Sequence, residues 1–233
     1  MFRKISSSSI ISAVLSTLMT VATAHNYHIR NIICSGDAEI FINNQLPSLD
    51  LERNPQVSVD DGVLIVSSGH HALKLPERID TFSLHDHCQV RTKNWNGRIQ
   101  TLVHNSYGDA VMDGFMQIRE IYKTGNGRLM AYWLDGPSPL TLNLKKGRTF
   151  LAGQVKKLVV DIKGQSHLSA QHLIAQNVLL KSKNQSSAIV HPMQNLTVFS
   201  EDQSRVSFVR PIAHSNIVSQ GKSAVIMQPL QNT

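Results

Sequence analysis

Beyond residue 80 the apolar positions return at a fixed interval. One column reads Val90, Ala110, Leu129, Thr149, Leu168, Ala188, Val206 and Ala224, with steps of 20, 19, 20, 19, 20, 18 and 18. Two residues on, a second column reads Thr92, Met112, Ala131, Leu151, Ala170, Val190, Phe208 and Ile226. A third, ahead of the polar turns, reads Leu84, Val103, Ile121, Leu142, Val160, Leu179, Val198 and Ile217, and a fourth runs from Trp95 through Phe115, Leu134, Val155, Leu173, Met193 and Ile212 to Leu230. Columns that share one period constrain each other, so the period is a repeat and not a chance alignment. Within each repeat the apolar residues alternate with polar ones, as in Leu158-Val159-Val160-Asp161-Ile162, which is strand spacing.

Between the strands lie short segments such as KTGNGR, IKGQS, SKNQS, SEDQS and SQGKS, whose Gly, Asn and Asp suit positive-φ turns and leave no space for a helix. A unit of about 19 residues then makes one coil of short strands, each pairing in parallel with its successor. The predicted fold is all-β: a single-domain right-handed parallel β-helix (β-solenoid) with coils of about 19 residues. An antiparallel sandwich is the alternative, but it does not require matched columns over eight copies. The recurring phrase Gly36-Asp37-Ala38 and Gly108-Asp109-Ala110 reads as one turn of this stack, with Asp a turn residue and Ala entering the inward column.

The two ends read differently. Arg3 and Lys4 precede an uncharged Ile5–Val21 run that closes on Ala22-Thr23-Ala24, the layout of a secretory signal peptide over residues 1–24. The mature β-solenoid domain is expected at 25–233, with 26–80 forming irregular N-terminal coils and a cap, and 81–230 the regular coils. Val57-Ser58-Val59 and Val63-Leu64-Ile65-Val66 flank Asp60-Asp61-Gly62, a hairpin signal within the cap. No later segment is apolar enough to span a bilayer as a helix. The C-terminal QPLQNT has no terminal aromatic, so no translocator barrel is expected after it.

The opening IRNIICSGDAEIFINN, the following VSVDDGVLIV and the coils of about 19 residues together resemble the auto-transporter adhesin, head GIN domain family of bacterial exported proteins. The resemblance covers most of residues 26–230. It implies a right-handed β-helix at the envelope or outside the cell, and it carries over no active-site residues.

Charge changes the picture only slightly. The chain carries 23 basic and 16 acidic side chains, and loss of Arg3 and Lys4 takes the basic count to 21, a net charge of +5. That balance suits anionic glycan or lipopolysaccharide, without the dense Lys/Arg runs of a nucleic-acid binder. One outward column is basic, with Arg128, Arg148, His167 and Arg205 as candidate ligand-binding residues. The adjacent column, Arg91, Val111, Met130, Phe150, Ser169, Ile189, Ser207 and Val225, is largely apolar; it either faces another envelope protein or a homo-oligomer as partner, or is itself buried in the coil or under another segment. Tyr132 and Trp133 stand in the longest loop, where they either stack on sugar rings or pack.

His85, His87 and His104 form the candidate metal set, on the reading that the period places His104 one coil on from His85. His25 and His28 near the mature N-terminus are a second, weaker set. Cys34 and Cys88 are either a disulfide or two buried free thiols. Asp109, Asp113, Asp135 and Asp161 fall at different phases of the repeat, so no pair of carboxylates is gathered for glycoside cleavage. No phosphate loop or nucleophile triad is legible, and no cofactor is expected. The expected function is therefore a non-enzymatic, exported, adhesin-like surface or ligand-binding protein. A carbohydrate-active β-helix enzyme and a metal-binding envelope protein are the alternatives.

Overall fold

In the computed structural model, which describes residues 28–45, 55–136, 138–209 and 212–229, the chain winds into a parallel β-solenoid with no helix among the described residues. The expected signal segment, His25 and Leu230 lie outside the described residues. Each coil has three sides. The first carries the inward column Val90, Ala110, Leu129, Thr149, with Val90 paired to Ala110, Ala110 to Leu129 and Leu129 to Thr149. The short second side carries Met116 opposite Leu134. The third carries Leu102 opposite Ile121 and Ile121 opposite Leu142. Strands continue around the corners, so Ala110–Lys123 covers parts of all three sides and Leu140–Ser182 passes without a break through successive coils.

The inward residues are almost all aliphatic and fully buried, which is the stabilising content of the fold. In the later coils the chain turns from the third side to the first through one positive-φ residue each: Gly164, Asn184, Asp202 and Gly221. A serine follows two residues later and closes the turn. Ser186 Oγ donates to Lys183 O at 2.8 Å and lies 2.9 Å from Ser182 Oγ. Ser204 Oγ does the same with Glu201 O at 2.8 Å and Ser200 Oγ at 2.8 Å. These hydroxyls are buried, and the ladder they form is satisfied within the turns.

The N-terminal coils are stacked out of chain order. Strands β1 (Asn31–Cys34) and β2 (Ala38–Asn43) form the first coil. β4 (Val63–Val66) and β5 (Gly69–Leu73) stack on its outer face. The chain then crosses back, and β6 (Arg78–Asp86) and β7 (Gln89–Lys93) stack on the inner face. The first coil is thus enclosed between the second and the third. β3 (Val57–Asp60) folds antiparallel onto β4 through Asp61 and Gly62, both at positive φ as a tight hairpin turn requires. It covers the outer edge of the third side.

The period transfers to the structure with local slips of one residue. Val103 pairs with outward Ser83, and the inward residue is its neighbour Leu102, opposite Phe82. Leu180, not Leu179, pairs with inward Val198. Phe115 is exposed and Met116 faces in, because the strand is bulged at the corner beside Trp133. Val206 pairs with Val225 rather than Ala224.

Candidate functional site

Cys34 and Cys88 are joined in a disulfide with Cα atoms 5.8 Å apart, both buried at the corner between the third side and the first. It ties the first coil to the third. The chemistry of the cysteines is thereby structural.

The histidine set does not assemble. His85 pairs with Asn105, whereas His104 pairs with inward Leu84. His104 is therefore a core residue on the opposite face of the strand from His85, and its rungs run Leu84, His104, Lys123, Leu144. His87 turns to solvent, stacked on Tyr107 with ring centroids 5.5 Å apart and Nδ1 3.7 Å from Asp37. Among the described residues no three His, Cys, Asp or Glu side chains converge as a metal site. The error is one of register: a single-residue slip exchanges the faces of a strand.

His104 and Lys123 make an unusual interior pair. Burial first, and then the charge of Lys123, push the His104 imidazole down to about 4. Neither of its ring nitrogens meets the geometry of a full hydrogen bond. Burial likewise pushes the Lys123 amine down to about 8, against the opposing charge of Asp109. Its Nζ donates to Gly125 O at 2.5 Å, closing the adjacent turn.

The predicted basic stripe lies at the edge of the first side. His167, Ser187 and Arg205 occupy successive rungs, and His167 Nδ1 is 2.6 Å from Ser187 Oγ. Arg148 lies close enough to His167 to act with burial in lowering its pKa. Arg128 is already committed: its Nε and Nη2 reach Asp109 Oδ2 at 2.9 and 2.5 Å, and its backbone N–H reaches Oδ1 at 2.8 Å. Burial alone would raise the Asp109 pKa, but these hydrogen bonds outweigh it and hold the carboxyl below its ordinary value. The apolar column beside it (Val111, Met130, Phe150 and Ile189) is half-buried, and Val111, Met130 and Phe150 occupy successive rungs.

A different constellation lies on the second side and the corner leading into it. Here the outward residues form a small grid. At the corner stand Asn96, Phe115 and Trp133, and Asn96 Oδ1 accepts a hydrogen bond from the Phe115 backbone N–H at 3.1 Å. In the next outward column Arg78, Arg98 and Gln117 pair rung to rung and Asp135 pairs with Gln154, Gln117 and Asp135 each following the paired Met116 and Leu134. Arg119 lies two residues beyond Gln117. Arg78, Arg98, Gln117, Arg119, Asp135 and Ser138 line a groove of about 250 Å³.

Phe115 and Trp133 are 66% and 60% exposed, with ring centroids 6.0 Å apart. Trp133 adopts φ 62°, whereas the corner residues of the coils before and after, Gly114 and Gly153, are glycines at φ 141° and 131°. A large side chain in the left-handed region costs about 1–2 kcal/mol. On its other flank Trp133 joins Val111, Tyr132 and His172 around a shallow, mostly apolar depression. The basic residues of this grid escaped the sequence reading, although only Arg78 of them falls in the irregular segment; Arg98 follows it by one period of 20 residues. The paired arginines Arg78 and Arg98 would have been the signal.

No protein-family model and no curated relative matches the sequence. Among solved structures, a "putative adhesin" from Parabacteroides merdae superposes with a TM-score of 0.62 at 16% identity, covering 86% of this chain and 92% of that one. A "putative lipid binding protein" from Parabacteroides distasonis superposes with a TM-score of 0.64 at 11% identity, covering 90% of this chain and 94% of that one. At these identities the likeness is one of fold.

Proposed function

We propose that this chain is an exported, non-enzymatic β-solenoid of the adhesin-like kind, and that it binds a glycan through the corner and second side of its coils. The observation that carries the reading is the Phe115–Trp133 pair. Two large aromatic rings stand in water on successive coils, one of them at a backbone angle that glycine would adopt at less cost. Folding gains little from such an arrangement, whereas the apolar face of a pyranose ring gains a platform. Asn96, Gln117, Asp135 and the arginines around it supply donors and acceptors for hydroxyls.

The name of the Parabacteroides merdae neighbour supports an adhesin-like role. The resemblance of the opening segment to the head GIN domain family supports an envelope or extracellular location. The dispersal of Asp109, Asp135 and Asp161 over different sides supports binding without hydrolysis. The test is a glycan array probed with the mature chain and with Phe115→Ala and Trp133→Gly variants. Binding to a defined set of glycans, lost in both variants while their melting profiles stay close to the parent's, is the expected result. An array left unbound by the parent, or bound equally by all three, refutes the reading.

A further inference from the structure

We propose that the ligand of the second side is an acidic glycan, with its carboxylate, sulfate or phosphate groups held by Arg98 and Arg119 and its neutral rings on Phe115 and Trp133. This rests on the glycan reading above and adds the charge class. Arg78 and Arg98 are partners on adjacent rungs, about 4.8 Å apart along the axis. Like charges directly opposite one another in a sheet destabilise it. Arg78 finds one acid, with its Nε 3.5 Å from Asp80 Oδ1. Among the described residues Arg98 and Arg119 pair with no carboxylate, although both line the groove. The contrast with Arg128, forked onto Asp109, is direct: the predicted stripe is internally neutralised at that rung, and Arg98 and Arg119 are not.

The grid also sets a direction. Side chains two residues apart on one face are separated by roughly 6.6 Å. Phe115, Gln117 and Arg119 therefore stand in line across the second side, from aromatic through amide to cation. One rung on, Trp133 is followed at the same spacing by Asp135, whose carboxylate accepts hydroxyl protons and repels an anionic group. The acid of the ligand consequently lies toward Arg98 and Arg119, and a neutral ring lies toward Trp133 and Asp135. Guanidinium forks suit each of the three oxyanions.

The experiment is equilibrium binding of the mature chain to four immobilised probes: a sulfated glycosaminoglycan, polygalacturonate, lipopolysaccharide and dextran. The three acidic probes separate sulfate, carboxylate and phosphate as the source of charge, and dextran reports neutral binding. The proposal expects at least one acidic probe to be bound, with affinity falling steeply with salt and by about tenfold or more in Arg98→Gln/Arg119→Gln. Arg148→Gln/Arg205→Gln, on the first side, is expected to change affinity less than about twofold. Equal loss in the two double variants overturns the assignment to this groove. Binding of dextran alone, sensitive to Trp133→Gly and indifferent to the arginines, overturns the acidic class and leaves the glycan reading standing. Failure of all four probes to bind removes this proposal, while the array above decides whether the wider reading also falls.

Discussion

Replacing His104 with leucine should remove about 3 kcal/mol of the acid sensitivity of this fold. His104 sits in the inward ladder between Leu84 and Lys123, fully buried, and its imidazole is held down at about 4 against an ordinary value of 6.5. In the unfolded chain the ring binds a proton near pH 6.5, and in the folded chain only near pH 4. Between those values the unfolded state holds more protons, so stability rises with pH across the window. The contribution is fully present above about pH 6.5 and is lost as pH falls to about 4. At 1.36 kcal/mol per pH unit, a displacement of about 2.5 units is worth about 3 kcal/mol. That is a large fraction of the 5–15 kcal/mol typical of a domain. Leucine fits a ladder whose neighbours include Leu84 and Leu144, so the variant is expected to be at least as stable as the parent at pH 7. The measurement is the urea midpoint of both proteins from pH 7 to pH 4. The parent should lose about 3 kcal/mol over that range beyond any loss in His104→Leu. Carboxylates that do not interact with His104 are common to both curves and cancel in the difference; Asp109, whose pKa His104 helps to lower, cancels only in part. Parallel curves from pH 6.5 to 4 would refute the assignment of the acid sensitivity to His104.

Other outcomes follow from single features. Trp133→Gly trades an aromatic at positive φ for the residue that adopts that backbone angle at least cost, and thermal melting should place its stability within about 1 kcal/mol of the parent's. Gly153→Ala should fare far worse, because a Cβ there would sit 2.1 Å from Leu134 O at φ 131°; a loss of more than about 2 kcal/mol in urea unfolding is expected. Cys34→Ala/Cys88→Ala opens a loop of 54 residues, and the chain-entropy relation sets the cost at about 4 kcal/mol, measurable by denaturation with and without reductant. Ser204→Ala strips the Glu201 and Ser200 contacts from a buried turn and should cost about 1–3 kcal/mol by the same assay.

The coil architecture was legible because burial imposes the same alternation on every coil, and columns such as Val90, Ala110, Leu129 and Thr149 stay in phase from one to the next. What the sequence left open was phase within a side. Leu102 and Val103 are both apolar, as are Leu179 and Leu180, and nothing in composition says which faces inward. That ambiguity is harmless for the core, since either residue would fill it. It is decisive for chemistry: the one-residue slip at His104 turned a buried core histidine into a supposed surface ligand. Phe115 misled in the opposite sense. A phenylalanine in an apolar column reads as core, but the bulge at Trp133 turns it out and admits Met116. The N-terminal coils were legible as a cap with a hairpin, whereas their stacking out of chain order was not. Parallel pairing across two coil heights leaves no local pattern.

The disulfide also decides how the molecule would answer to force. Suppose tension enters at residues 28–30 and leaves at the far end of the stack. The load reaches Cys34 and passes through the sulfur bridge directly to Cys88, so the chain between them bears none of it. That stretch, which includes the cap hairpin and the outermost coil, would contribute about 190 Å if drawn straight. It stays slack and folded while later coils peel away, and its length is released only when the bridge is reduced. A tether built this way has two lengths, set by redox state, with its first coils held as a fixed anchor in the shorter one.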